Sequence, residues 1–160
     1  MLSLINISKQ FDDLNVIDKF DLSVNKGSFT ALIGPSGCGK TTLTRIINGL
    51  IPHFYEGSFK GRVLLKGRDI STLELHEIAD TVGSVFQDPR SQFFTTDTVS
   101  EVAFACENAG LPKKELVRRV DEAIEELGIK HLRDKSLFEL SSGERQRVAI
   151  ASVYALSPDI

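Results

Sequence analysis

The stretch GPSGCGKT, residues 34–41, sets two glycines, a lysine and a threonine at the spacing G-x-x-x-x-G-K-[ST]. That spacing is a device for holding phosphate. Gly34, Gly37 and Gly39 let successive backbone N–H groups turn inward, and a helix opening behind them points the positive end of its macrodipole at the same place. Lys40 supplies a mobile cation for the β- and γ-phosphates, and Thr41 offers its hydroxyl to a Mg2+ ion that bridges them. Ser36 and Thr42 add hydroxyl donors, and Pro35 completes the loop. Cys38 sits at a permissive position: either a reactive thiol beside the helix N-terminus, or a small side chain that simply fits. Such a loop implies a nucleoside triphosphate but not what its hydrolysis drives. Kinases, small GTPases, helicases and transport ATPases all use one.

Three further places carry chemistry. VFQDP puts Gln87 at the end of an apolar run, LSSGERQRVAIA (residues 140–151) opens a helical pattern with a serine- and glycine-bearing turn, and Phe11 stands in the opening strand pair. Taken alone, LSSGERQR reads as a helix cap, Ser141 or Ser142 followed by Glu144 and a basic face.

The elements that must position these residues follow from periodicity. LSLINISKQF and KFDLSVN alternate apolar and polar positions, with Phe20, Leu22 and Val24 on one face, which predicts half-buried antiparallel strands. SFTALIG, just before the phosphate loop, is a short continuous apolar run, and it predicts a strand buried on both faces of a parallel sheet. From Lys40 the apolar positions Leu43, Ile46, Ile47 and Leu50 follow i, i+3, i+4, i+7, a helix that Gly49 and Pro52 end. GRVLLKGRDI predicts a strand with a Lys66-Gly67 turn, STLELHEIAD a short helix, and TVGSVFQ a second buried strand ending at Gln87. From Thr98 to Leu127 the pattern is helical: Thr98 and Glu101 stand at capping-box spacing, and Gly110 and Pro112 divide two helices. Leu116, Val120, Ala123, Ile124 and Leu127 share a face, Gly128 closes the second helix, and the alternating charge of residues 113–126 predicts a solvated surface.

The 160 residues are 41% hydrophobic and 26% charged with a net charge of −3, ordinary values for a globular domain and no basic footprint for nucleic acid. No apolar run approaches the ~20 residues of a spanning helix, so the chain is expected in the cytosol or peripheral to a membrane. Cys38 and Cys106, with His53, His76 and His131, are too scattered for a disulfide framework or a zinc site.

The order of phosphate loop, VFQDP and LSSGERQRVAIA, with Phe11 upstream, resembles the ATP-binding cassette (ABC) family. The resemblance covers essentially the whole chain. It implies an α/β fold: a P-loop NTPase (RecA-like) core with N-terminal antiparallel β strands and a helical subdomain, incomplete at the C-terminus. Residues 1–90 would be the core with phosphate loop and Q-loop, 91–145 the helical subdomain and signature, and 146–160 a return helix to the core. ATP and Mg2+ are the implied cofactors. Phe11 would stack on adenine, and Gln87 would reach Mg2+ or the attacking water as both sensor and coupler. Ser141 and the Gly143 backbone would complete the site of a second ABC ATPase subunit or domain, head to tail, which suits groups that open a helix. This sequence departs from the common L-S-G-G-Q pattern, with Ser142 in place of Gly and Glu144 in place of Gln, the latter bringing a carboxylate near phosphate.

The stretch QDPRSQFFTTDTVSEVAFACENAGLP is similar to the energy-coupling-factor and cobalt-type importers. Residues 87–94, with Ser91, Gln92, Phe93 and Phe94, would then face a transmembrane coupling subunit at the cytoplasmic face of the membrane; the plainer alternative is a loop with two buried phenylalanines. The implied function is the ATP-binding subunit of an importer of a small solute, of vitamin or metal-ion type. The alternatives are a non-transport ABC ATPase and a nucleotide-binding module without turnover. The family's Walker B Asp-Glu pair and histidine switch do not occur within these residues. The 160-residue chain alone is therefore expected to turn over ATP negligibly, because such groups supply much of the rate in phosphoryl transfer.

Overall fold

The computed structural model describes residues 1–160 as two compact units, Met1–Val82 and Gly83–Ile160. The expected division between core and helical subdomain lies slightly later, at 90/91.

In the first unit, strands β1 (Leu2–Phe11), β2 (Leu14–Val24), β3 (Ser58–Leu65) and β4 (Arg68–Asp69) form one antiparallel sheet in the order β2-β1-β3-β4. The alternation of β1 explains its central place and also where it breaks. Leu2 and Leu4 are buried at even positions, whereas Ile7 and Lys9 are buried at odd ones. The change of phase is a bulge: the register shifts against both neighbours after Leu4 and Ile5, and Asn6 takes φ 52° with its N–H donating to Asp21 Oδ1. Lys66 and Gly67, both at positive φ (51° and 83°), turn β3 into β4 as a two-residue hairpin.

Helix α1 (Lys40–Ile47) buries Leu43 and Ile46, and Gly49 stops it at φ 77° before a helical turn, α2 (Leu50–His53). A 3-10 turn, Ile70–Thr72, leads to α3 (Leu75–Thr81), capped reciprocally by Glu74 and Glu77. Fully burying an aliphatic side chain such as Ile46 contributes about 1.5–3 kcal/mol, which is how a helix of eight residues holds its place.

The second unit is helical. Helices α4 (Thr98–Asn108), α5 (Lys113–Glu126) and α6 (Ser142–Leu156) pack pairwise. Their core holds Val102, Cys106, Val120, Ile124, Leu132 and Val148 among others. The predicted face of α5 is the one that packs, with Val120, Ala123 and Ile124 buried and Leu116 and Leu127 half-buried against the core. Gly128 ends α5 at φ 63°. The charged face is solvated as expected: Glu115 is gripped by Arg118 and Arg119, whose guanidiniums hold its carboxyl down to about 2.

The α/β class stands, but two predicted strands are not formed. Residues 28–34 are irregular and exposed, with Phe29 95% and Ile33 93% accessible, and residues 82–86 are likewise outside any strand, with Val85 and Phe86 exposed. Runs of this composition become strands only when neighbours pair their backbone and cover both faces, and no named strand lies beside either. The Thr98–Glu101 capping box is also corrected. Asp97, one residue earlier, has the extended backbone (φ −131°, ψ 158°) that an N-cap needs and accepts from Ser100 N–H at 2.9 Å. Thr98 is buried instead, its hydroxyl donating to Lys135 O at 3.2 Å.

Candidate nucleotide site

The phosphate loop lies in the first unit, and its glycines shape it. Gly37 takes φ 82°; Gly39, the residue before α1, takes φ 94°, and a β-carbon there would stand 3.1 Å from Val16 O. A side chain at Gly39 would thus be strained twice, by its backbone angle and by the wall of β2. α1 begins with no side-chain cap and no acidic residue in its first turn. Its leading N–H groups are therefore free of internal anions, the arrangement that lets a phosphate serve as the cap.

Lys40 is folded back over the loop. Its ammonium donates to Gly34 O at 2.8 Å and Pro35 O at 2.7 Å, and lies 3.6 Å from Cys38 Sγ. The cation thus stands at the loop mouth on two carbonyls, contacts it could exchange for phosphate oxygens without crossing the site. Thr41 is exposed in the first turn of α1 and Thr42 half-buried beside it. The donor set fits a triphosphate with its metal ion: amides and an ammonium for phosphate, a hydroxyl for Mg2+.

Next to the loop is a pocket of about 270 Å3, lined by Val16, Ile17, Phe20, Leu32, Gly39 and Lys40 among others. Phe11, the expected adenine partner, is not in that lining; it ends β1, paired with Leu14. There it sits 4.4 Å from the ammonium of Lys9, which is buried, donates to Glu56 O at 2.6 Å, and has its pKa lowered by burial. Val16 and Ile17 escaped sequence reasoning. They are adjacent apolar residues of β2, both half-buried, and nothing in their type or spacing sets them apart from strand residues that touch no ligand.

The other predicted residues lie in the second unit. Gln87 is exposed in a bend, and the backbone just before it is tied down: Phe86 N–H donates to Gln92 Oε1 at 3.0 Å. Asp88 caps the short 3-10 turn Pro89–Ser91 by accepting from Arg90 N–H. Phe93 packs against the helical core, whereas Phe94 is 73% exposed and stacks on Phe104 at 4.7 Å between ring centroids, so the pair is not jointly buried.

Ser141 and Gly143 open α6. Ser141 Oγ accepts from Glu144 N–H at 3.3 Å, and Glu144 Oε2 accepts from Ser141 N–H at 2.8 Å. The Glu144 carboxylate, expected to jut toward a phosphate, is turned back onto its own helix. The Ser141 hydroxyl and then its N–H hold the Glu144 pKa below the usual range, helped by Lys135 and by His131, 4.0 Å away. Gly143 has open space where a side chain would stand, so its backbone is approachable.

A family model for the ABC transporter matches residues 17–160. The chain belongs to the ABC transporter family. A protein of Treponema denticola named "Putative ABC transporter ATP-binding protein" is 49% identical over 162 residues, covering 100% of this chain and 33% of its own length. One of the same name from Methanosarcina acetivorans is 43% identical over 159 residues, covering 99% and 26%. The chain therefore spans about a third or less of the curated relatives it matches. The solved structure of cbiO1 from Clostridium perfringens, described as part of the ABC transporter complex cbiONQ, has a TM-score of 0.85 at 32% identity. It covers 98% of this chain and 62% of cbiO1. No helix here is long and apolar enough to cross a membrane.

Proposed function

We propose that the chain is the nucleotide-binding part of an ABC importer's ATPase, gripping ATP and Mg2+ on residues 34–42. The observation that carries this is the uncapped N-terminus of α1 facing a loop over which Lys40 holds its ammonium on Gly34 and Pro35 carbonyls. Gly34, Pro35, Ser36, Gly37, Cys38 and Gly39 present the loop backbone; Lys40 offsets phosphate charge, and Thr41 with Gln87 would serve the metal ion. Bound Mg2+ supplies charge neutralisation between the β- and γ-phosphates. Phe11 is proposed to contact adenine from the end of β1.

Ser141 and Gly143 are proposed to complete the site of a second cassette, head to tail. Hydrolysis is assigned to the full-length protein, with Lys40 and Gln87 as its catalytic contributors here. Residues 87–94 would meet a transmembrane coupling subunit, placing the protein on the cytoplasmic face of the membrane. The likeness to cbiO1, described as part of an ABC transporter complex, supports a transport role; a cargo of vitamin or metal-ion type is proposed on the resemblance of residues 87–112 to importers of that kind.

Thermal unfolding with and without Mg-ATP tests the reading. A hundredfold excess over Kd stabilises the bound form by about 2.7 kcal/mol, and Lys40→Ala should abolish the shift. An unchanged melting temperature in the parent chain at millimolar Mg-ATP sinks the proposal.

A further inference from the structure

The Glu101 carboxylate belongs to no part of the site described so far, yet it is 2% exposed. It stands in the first turns of α4 and reaches backward past the Asp97 cap. One oxygen, Oε2, accepts three hydrogen bonds: from Phe94 N–H at 3.0 Å, Thr95 N–H at 2.9 Å and Thr95 Oγ1 at 3.0 Å. A buried carboxylate without such partners would be costly; three donors and the positive end of α4 satisfy it.

The place it grips is where the chain changes direction relative to the core. Phe93 packs inward on the helical cluster, and Phe94 turns outward to lie flat on Phe104, at 4.7 Å and 13° between planes. At the other end of the segment Gln92 Oε1 holds Phe86 N–H. The 87–94 loop is therefore braced within itself near its start, by Gln92 on Phe86, and tied to α4 at its end by Glu101, rather than held by strand pairing. The anchor on Glu101 is the stronger, because its acceptor is an anion with three donors.

We propose that Glu101 is a positioning residue for the 87–94 loop: its carboxylate fixes the backbone at residues 94 and 95, so that Phe94 is presented outward on Phe104 as a preformed apolar contact. This deepens, and rests on, the reading of that loop as the surface met by a membrane partner. Freezing the presenting backbone beforehand lowers the ordering entropy to be lost on docking, which makes the acceptor a determinant of coupling rather than of nucleotide grip.

Amide exchange followed by NMR tests the clamp without any partner. Glu101→Leu, which removes the acceptor but fills the space, should speed exchange at the Phe94 and Thr95 amides by about tenfold or more, and should erase the ring-current shifts of Phe94 and Phe104. Glu101→Gln, which retains an acceptor oxygen, should restore both. If Glu101→Leu does not fold, Thr95→Val removes one of the three bonds from the loop side and should still speed exchange at both amides. Unchanged exchange in the folded variant used, or a Gln variant as loose as the Leu variant, overturns the clamp.

In the full-length protein with its membrane partner, Glu101→Leu should lower ATP-dependent uptake about as far as Phe94→Ala, with the Mg-ATP thermal shift intact. If Phe94→Ala abolishes uptake and Glu101→Leu spares it, the positioning role is wrong. If Phe94→Ala leaves uptake untouched while the exchange results stand, the coupling reading of the loop fails and the clamp survives.

Discussion

Two glycine-bearing turns in this chain open helices, and they treat the helix N-terminus in opposite ways. The turn before α1 provides no internal anion: Gly39 has no side chain to cap with, the first turn is free of acids, and a lysine ammonium lies across the mouth. The turn before α6 is closed on itself by Ser141 and Glu144, a hydroxyl on one amide and a carboxylate on another. Both face the same requirement for the leading amides. The first leaves it open, as the proposed phosphate site requires, and the second meets it from within, so the first turn should respond strongly to ligand and weakly to local substitution of caps, and the second the reverse.

The largest test of that contrast is Lys40→Ala, which should remove the whole nucleotide-dependent stabilisation, about 2.7 kcal/mol at a hundredfold excess over Kd, read by thermal unfolding. Gly39→Ala comes next. A β-carbon at φ 94° and 3.1 Å from Val16 O should cost about 1–2 kcal/mol in urea unfolding and weaken the nucleotide shift, because the loop cannot keep its shape. Ser141→Ala should cost about 1 kcal/mol of stability, the ordinary loss of an N-cap, with the thermal shift on Mg-ATP unchanged in a monomeric sample. Were Ser141→Ala to cost nothing, the self-closed description of the second turn would be wrong.

The smallest effect is in acid. Glu144 has a folded-state pKa lowered chiefly by the Ser141 hydroxyl, so its contribution is complete above the unfolded value near ~4.3 and fades as pH falls through the folded value. Between about pH 5 and 3 the urea midpoint of the parent chain should therefore fall more steeply than that of Glu144→Gln. Parallel curves would mean that the carboxylate does not cap the helix in solution.

Much of the candidate site's local geometry was legible in the sequence because it depends on backbone demands. Gly37, Gly39 and Lys40 are required wherever a loop must take positive φ and present a cation, and Ser141 with Glu144 follow a three-residue spacing that the helix geometry dictates. Asp97 was missed for a physical reason: Thr98 offers the same chemistry one position later, and only the dihedral angles decide which residue is extended and which helical. By spacing alone, Glu101 is a capping acid of its own helix. Its bonds to residues 94 and 95 depend on how the loop folds back, a geometry that no periodicity encodes.

The two unformed strands mark the boundary most clearly. Residues 28–34 and 82–86 have strand composition, yet they are irregular, with Phe29 and Ile33 almost fully exposed. By itself the sequence determined the phosphate loop, the helix faces, the Lys66-Gly67 hairpin and the family, because each is written in short-range spacing and conformational demand. Only the tertiary structure decided that β1 shifts phase at Asn6, that Lys9 is buried over Phe11, and that one carboxylate holds the loop presenting Phe94. Those outcomes rest on contacts between segments distant along the chain or facing different ways, where backbone pairing and burial, not local preference, set the energy.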